Sequence, residues 1–396
     1  MTIKALEFLT SEEGRKILEE YKNVGIKDLP SLAFKLSKKK VPFFSEIVTL
    51  LKLRSQAQGK FVKSQEMFFT DDGLEQASGE RISSYVARRI KELIKDGTVT
   101  DLTCGVGGSA IFLAKYLKVR AVDIDEVHLS CARHNAERYG VSASIEFIHG
   151  LAEDNLNNTE AFIIDPQRIR DGQTKTRSIY NSQPNIVELL PQMLKVTENI
   201  CLKISPAFDY EEILKLPGNP EIEIISEDNV NKGAFLWFGQ FRGVARRATI
   251  IDGDTEVTYT GDRGKNRAET AAALNKYIYI PNKAIIKAEL SDEVASRFKL
   301  HRISHQNELM TAHELINYPP KVFRTFEVLE YSAFSMSKTK ELIKRKALDR
   351  AHIVARHFGI NPEDLRKTLK LKEGGQHTLI FTEWAGEKYV ILGRNI

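Results

Sequence analysis

The spacing of apolar positions divides the chain into three stretches. Up to about residue 65 the pattern is helical and polar, with a basic patch at Lys35, Lys38, Lys39 and Lys40. Ile82, Tyr85, Val86, Ile90 and Leu93 then recur at the spacing of one helix face, predicting a helix over 82–94 with Ser78 as its N-cap. Beyond it, short apolar runs alternate with helical segments. Strands are predicted over 98–103, 119–123, 145–149, 161–164 and 200–204. The helix between the second and third carries Leu129, Ala132, Ala136 and Tyr139 on one face. Such alternation buries a parallel sheet between helices, because each parallel crossover needs a helix to bring the chain back. Two more strands, 221–226 and 235–241, make seven, and the run 245–251 is expected to extend the last into a hairpin.

A polar, glycine-containing stretch at 261–270 is expected to be a linker. After it a smaller α+β pattern follows. A strand with its flanks covers 277–289, a helix 292–298, a strand 326–331, a helix 338–346, a strand 352–356, a helix 362–371, and strands 378–384 and 388–392. Asn361, Pro362, Glu363 and Asp364 make a strong helix start: a cap, a proline in the first turn, and two acids at the positive end of the dipole. The expected class is α/β, a seven-stranded doubly wound domain with a helical N-terminal region and a C-terminal α+β region.

The net charge of +5, from 58 basic and 53 acidic side chains, says little until it is divided. Residues 279–396 hold 20 Lys or Arg against 14 Asp or Glu, a net of +6, and the first 278 residues carry 38 against 39, a net of −1. The surplus sits in the tail, as expected of a separate unit facing a polyanion. No apolar run approaches the roughly 20 residues of a membrane span, and the first residues lack the form of a secretory signal. The three cysteines, Cys104, Cys131 and Cys201, have no metal-ligand spacing, so a cytoplasmic location and no metal are expected. His301, His305, Glu308 and His313 lack the thiols and helix geometry that would make them a metal site.

The chemistry concentrates at predicted strand ends. Asp101-Leu-Thr-Cys104-Gly105-Val-Gly107-Gly108 lies where the first strand should turn into a helix. Its glycines allow a sharp turn and close approach of a ligand. The third glycine of a dinucleotide fingerprint is missing, and the loop opens on a carboxylate. That carboxylate would repel a pyrophosphate and hold a cationic amino-acid tail. The second strand ends at Asp123, placed to accept hydrogen bonds from ribose hydroxyls, with Asp125 as the alternative or as the cap of the next helix. The third ends in His149-Gly150-Leu151-Ala152-Glu153, beside an adenine ring, and the fourth in Asp165-Pro166-Gln167-Arg168. Together these describe a site for S-adenosylmethionine.

DLTCGVGG followed by AVDIDEVHLSCARHNAERYG resembles the first two motifs of class I methyltransferases. The wider pattern is similar to a bacterial family that joins this Rossmann-like domain to ferredoxin-like and THUMP-like modules. The matching stretches are LEQAS (74–78), IIDPQR (163–168), LKISPAFD (202–209), LWFG (236–239), RRATI (246–250), PNKAIIKA (281–288), INPEDLRKTLKLKEGG (360–375) and TLIFTEW (378–384). The resemblance implies a helical region at 1–78, a methyltransferase domain at 79–260, a ferredoxin-like piece at 278–321 and a THUMP-like domain at 322–396. It also implies that Asp101, Gly105 and Gly107 lie along the methionine half of the cofactor, with Cys104 in the same loop, and Asp123 on the ribose. Where many class I enzymes place an Asp against adenine, this chain has Leu151. The backbone around Leu151 and Ala152, or Glu153, would substitute.

The acceptor chemistry is read from Asp165, Pro166 and Lys203. For an exocyclic amine, Asp165 and the adjacent backbone carbonyl need only accept hydrogen bonds while the methyl is displaced. A ribose hydroxyl would instead need a base, and Lys203 with Asp165 holds those strand positions. Uracil carbon-five chemistry needs a thiolate after the fifth strand, where this chain has Ser205-Pro206; Cys201 lies within the strand. Arg168, Arg170, Lys175 and Arg177 are placed to grip phosphates at the lip, and Lys338, Lys340, Lys344, Arg345, Lys346 and Arg350, with Arg366, Lys367, Lys370 and Lys372, extend a basic surface in the tail. The expected function is methylation of RNA, tRNA or rRNA, at a base nitrogen. The alternatives are ribose methylation, a protein or small-molecule acceptor, and an RNA-binding protein with a vestigial cofactor fold.

Overall fold

The computed structural model describes residues 1–171, 174–175, 178–262, 264 and 266–396, without the side chains of 170–171 and 174–175. Its contacts divide the chain into two units, Met1–Glu221 with Ala234–Gly243 and Ile222–Gly233 with Val244–Ile396.

The first unit opens with helices Ile3–Thr10, Glu12–Glu20, Leu29–Lys38, Phe44–Gln56 and Asp71–Gln76. Helix Glu80–Leu93 follows, and its N-cap is Gly79, with no side-chain cap bond, rather than Ser78. Ile82, Val86 and Ile90 are buried as the periodicity requires, but Leu93 is exposed and Ile94 takes the core position beyond the helix end. The sheet then forms from β1 (Thr98–Asp101), β2 (Lys118–Asp123), β3 (Ile145–His149), β4 (Ala161–Ile164) and β5 (Ile200–Ile204). The order is β3-β2-β1-β4-β5 and every pair is parallel. Val99, Ala121, Val122, Phe162, Ile164 and Leu202 are buried, as strands covered on both faces must be. Helix Glu126–Tyr139 joins β2 to β3, capped at its start by the Asp125 side chain and closed by Gly140 at φ 71°.

The chain leaves this unit at β6 (Glu221–Glu227) and returns along β7 (Val230–Trp237). Residues 234–237 of β7 run antiparallel to β5. The strand predicted over 235–241 is therefore displaced. It ends at Trp237 because Gly239 turns at φ 61°, with its α-carbon so near the Glu198 carbonyl that a Cβ would lie 2.5 Å from it. Arg89, from the face of helix Glu80–Leu93, sits 4.1 Å above the Trp237 ring and donates to Glu221 at 2.7 Å and to the Phe241 carbonyl at 2.9 Å. Glu221 is fully buried and also accepts from the Gly243 N–H at 2.9 Å.

In the second unit, β6 turns through Asp228 and Asn229, both at positive φ, into the start of β7. The run 245–251 does not extend that hairpin. It forms β8 (Arg246–Asp252), parallel to β6, and makes its own hairpin with β9 (Thr255–Gly261), a strand the sequence reading left out. The turn is Gly253-Asp254 with Gly253 at φ 58°, the glycine-bearing two-residue loop that suits the twist of paired strands. A second sheet follows from β10 (Tyr277–Pro281), β11 (Met310–Ala312), β12 (Phe323–Ala333), β13 (His352–Arg356), β14 (His377–Trp384) and β15 (Glu387–Asn395), ordered β11-β10-β12-β15-β14-β13 with His301–Arg302 beyond β11. Helices Met336–Arg345 and Pro362–Leu369 cover it, the latter capped by Asn361 as expected. Leu342, Leu365, Leu369, Phe358, Leu379 and Phe381 form the core beneath them. Of the residues weighed as metal ligands, His301 faces Glu269, His305 faces Asp292, and Glu308 faces His357.

Removing one member of a buried ion pair strands the other charge, at a cost of about 3–5 kcal/mol. Arg89→Ala should therefore lower the unfolding free energy of the full chain by about that amount in urea titrations. A loss under about 1 kcal/mol would show that Glu221 is satisfied without the guanidinium.

Candidate active site

In a parallel sheet the carboxyl ends of the strands share one edge, and the predicted site residues come together there. Asp101 ends β1, Asp123 ends β2, Asp165 follows β4 and Lys203 lies one residue before the end of β5. The loop after β1 is tied to both neighbours, by Leu102 N–H to the Ile163 carbonyl at 2.9 Å and Cys104 N–H to the Val122 carbonyl at 2.8 Å. Gly105 and Gly107 then turn at φ 54° and 91°. A Cβ on Gly107 would stand 3.0 Å from Ile111 and 3.3 Å from Ala132, so this glycine lets helix Glu126–Tyr139 close on the loop. A Cβ on Gly105 would meet nothing within 4 Å, which leaves open room against its backbone.

Asp123 holds the loop from the other side. Its Oδ2 accepts the Gly105 N–H at 2.7 Å and its Oδ1 the Asp125 N–H at 2.9 Å. Each carboxylate oxygen keeps a further lone pair for a hydroxyl donor. Asp125 accepts from Val127 and His128 N–H groups, so of its two expected roles it fills that of helix cap. After β3, Gly150 N–H donates to the Asp123 carbonyl at 3.0 Å and Asn155 donates to the Leu151 carbonyl at 2.7 Å. Ala152 is buried, whereas Leu151 and Ile124, on neighbouring strand ends, expose apolar side chains.

Asp101 is 2% exposed and accepts one backbone bond, from Thr103 N–H at 3.2 Å. Burial pushes its carboxyl from an ordinary 3.8 to about 7, and the nearby Asp123 and Asp165 charges add to the rise. Among the described residues no cationic side chain pairs with it. A cation arriving in this loop would therefore meet a carboxyl that ionises readily in its presence. Burial also raises the Cys104 thiol far above its ordinary range, so it offers no thiolate, and Cys201 is buried inside β5.

Asp165 N–H donates to Thr103 Oγ1 at 2.8 Å, and its Oδ2 accepts from Lys203 Nζ. Pro166 biases Asp165 towards extended backbone. Gln167 donates to Gln76 at 2.8 Å, and Arg168 to Ser205 at 3.2 Å. Of the other lip residues, Arg170 and Lys175 belong by backbone to the short ladder Arg170–Asp171 with Thr174–Lys175, and Arg177 lies outside the described residues.

The sequence reading missed the residues that bring 67–78 onto the glycine loop. Asn135 is fully buried, accepts from Phe68 N–H at 2.7 Å, and donates to the Phe68 and Val106 carbonyls at 3.0 Å. Thr70 hydrogen-bonds His128 at 2.8 Å, and a Cβ on Gly73 would lie 2.4 Å from Val106. An asparagine three residues after Ala132, on the apolar face of a helix, was the available signal.

Residues 96–169 match the family model described as RNA cap guanine-N2 methyltransferase, and 323–395 the one described as THUMP domain-like. An uncharacterized S-adenosylmethionine-dependent methyltransferase of Mycobacterium tuberculosis is 29% identical over 343 residues, 83% of this chain and 90% of that one. The trimethylguanosine synthase of Schizosaccharomyces pombe is 30% identical over 82 residues, 20% of this chain and 34% of its own. The crystal structure of a candidate methyltransferase from Porphyromonas gingivalis W83 shares the fold, with a TM-score of 0.78 over 96% of each chain at 23% identity. Fold, loop chemistry and family models define an S-adenosylmethionine-dependent methyltransferase. Its C-terminal sheet region is THUMP-like.

The Asp101 carboxyl holds its proton more tightly folded than unfolded. Its contribution to stability is thus full below about pH 4 and lost as pH rises through about 7. Binding of the cationic cofactor should run the other way, releasing about half a proton at pH 7. Calorimetry in buffers of different ionisation enthalpy reads that release, and Asp101→Asn should abolish it while weakening binding on the order of 10-fold or more. Proton release unchanged in the variant would exclude Asp101 as the group that answers the cation.

Proposed function

We propose that the protein methylates RNA, at a base nitrogen, with the acceptor presented at Asp165. The observation that carries this reading is the Asp165–Lys203 pair, set beside the cofactor-loop carboxylates and fastened to that loop through Thr103. The RNA part is supported by the family model over 96–169, which runs from the start of β1 through Arg168, and by the THUMP-like match in the tail.

Bound S-adenosylmethionine would supply a methyl group on a cationic sulfur, open to direct displacement. The chain's part is to hold the cofactor and align the nucleophile. Asp101 and the Gly105–Gly107 backbone would hold the methionine end, Asp123 the ribose, and the exposed Ile124 and Leu151 side chains would flank the adenine. Asp165 has Oδ1 left to accept a hydrogen from an amino group on the acceptor base, while Lys203 keeps Oδ2 in place. In this pairing Lys203 donates, the reverse of what a base acting on a ribose hydroxyl would do. That favours the base nitrogen over the ribose. No thiolate stands after β5, which sets carbon-five chemistry aside.

Labelled cofactor with total RNA and total protein from cells lacking the gene tests the acceptor class, and label confined to protein would remove the RNA reading. Nucleoside mass spectrometry of that RNA should place the methyl on a base; a 2′-O-methyl product would support the ribose alternative instead. Asp165→Asn should lower kcat on the order of 10²-fold with cofactor affinity retained, and Lys203→Gln should cost less, about 10-fold. The reverse ranking would point to Lys203 as the base.

A further inference from the structure

The basic run in the tail contains two kinds of residue, and only the tertiary structure separates them. Arg345 and Lys346 both engage Glu330, Arg350 lies 3.7 Å from Asp349, and Arg366 engages Glu373 while donating to the Ala351 carbonyl at 3.0 Å. These cations are occupied within the fold. Six lysines, Lys338, Lys340, Lys344, Lys367, Lys370 and Lys372, are exposed and make no ion pair among the described residues. Three of the six, Lys340, Lys344 and Lys370, converge on one groove of about 550 Å³ between helices Met336–Arg345 and Pro362–Leu369, whose apolar lining includes Ile343, Leu348 and Leu369. The acid at its edge, Asp349, is the one beside Arg350.

We infer that this groove is the surface on which the THUMP-like region docks RNA, with Lys340, Lys344 and Lys370 taking backbone phosphates and the apolar residues packing against sugar edges. The inference rests on the RNA reading above and narrows it from a basic tail to one groove. Charge complementarity selects the occupant: uncompensated lysines along a narrow cleft suit a chain of phosphates. An anionic membrane would be met better by projecting apolar side chains than by a recessed apolar lining. Helix dipoles account for a lysine in the last turn or at the C-cap, as at Lys344 and Lys370, but not for Lys340 in the middle of its helix.

The test uses the full chain with total RNA from cells lacking the protein, binding being measured without cofactor across a series of salt concentrations. The variant Lys340→Gln/Lys344→Gln/Lys370→Gln should flatten the slope of log K against log salt by about 2–3 and weaken binding on the order of 100-fold near 0.1 M salt. A charge-matched variant, Arg345→Gln/Lys346→Gln/Arg350→Gln, should change the slope by less than about 1. Equal losses in the two variants would overturn the groove in favour of a diffuse field, and so would a lysine variant that binds as wild type. Thermal melts of the lysine variant should match wild type, and a collapse there shifts the reading to the single substitution Lys340→Gln, expected to remove about one unit of slope. Binding of anionic phospholipid vesicles lost with the lysines, while RNA binding is retained, would also overturn it. Because binding is read apart from methyl transfer, label found only in protein would end the RNA-methylation reading without deciding whether the groove binds RNA.

Discussion

The site depends on one constraint: carboxylates buried at the ends of parallel strands must be satisfied by whatever lies above them. Asp123 meets it by accepting the Gly105 and Asp125 N–H groups, which ties the glycine loop down and starts the next helix with the same side chain. Asp101 meets it only in part, with a single long bond from Thr103. The loop is therefore tied down at Asp123 and keeps, at Asp101, a buried carboxyl with spare accepting capacity. That asymmetry suits a ligand with hydroxyls at one end and positive charge at the other.

Preorganisation extends outward from that loop by short backbone ties rather than by charge. Thr103 Oγ1 sets the backbone of Asp165, Asn135 binds Phe68 to Val106, and Gly73 sits against Val106 with no room for a side chain. Alignment of a nucleophile with a methyl group tolerates little displacement, so these ties bear on rate as directly as the groups that touch the acceptor. They also give part of the helical N-terminal region a role in the first unit. The segment 67–78 forms a wall on the glycine loop, and the Gln76–Gln167 bond links that wall to the loop carrying Asp165.

Much of this was legible in the chain itself, because it depended on short-range rules. Strand–helix alternation identified β1 to β5, the Asp101 loop and Asp123 followed from glycine and carboxylate placement at strand ends, and Asn361 with Pro362 located a helix start. The errors fell where the deciding contact is remote. Nothing near Ser78 shows that Gly79 will be the cap. The strand expected through Phe241 stops at Trp237 because Gly239 must clear the Glu198 carbonyl, far away in sequence. The hairpin at Gly253-Asp254 and the asparagine at position 135 on an apolar helix face were local signals passed over.

Sequence alone thus determined which residues could meet at the carboxyl edge of the sheet, since strand ends and the side chains on them follow from periodicity. It also located the positive surplus in the tail, since counting needs no coordinates. Tertiary structure decided what those residues are free to do. It made Asp125 a cap and Asp123 an anchor of the glycine loop, turned Lys203 towards Asp165 as a donor, and raised Asp101 by burial. It also sorted equal-looking lysines and arginines into those held by Glu330, Asp349 and Glu373 and those left open, three of which meet in one groove. The physical reason is the same in each case: a side chain's charge is written in the sequence, but whether a partner already satisfies it depends on groups that only folding brings within hydrogen-bond reach.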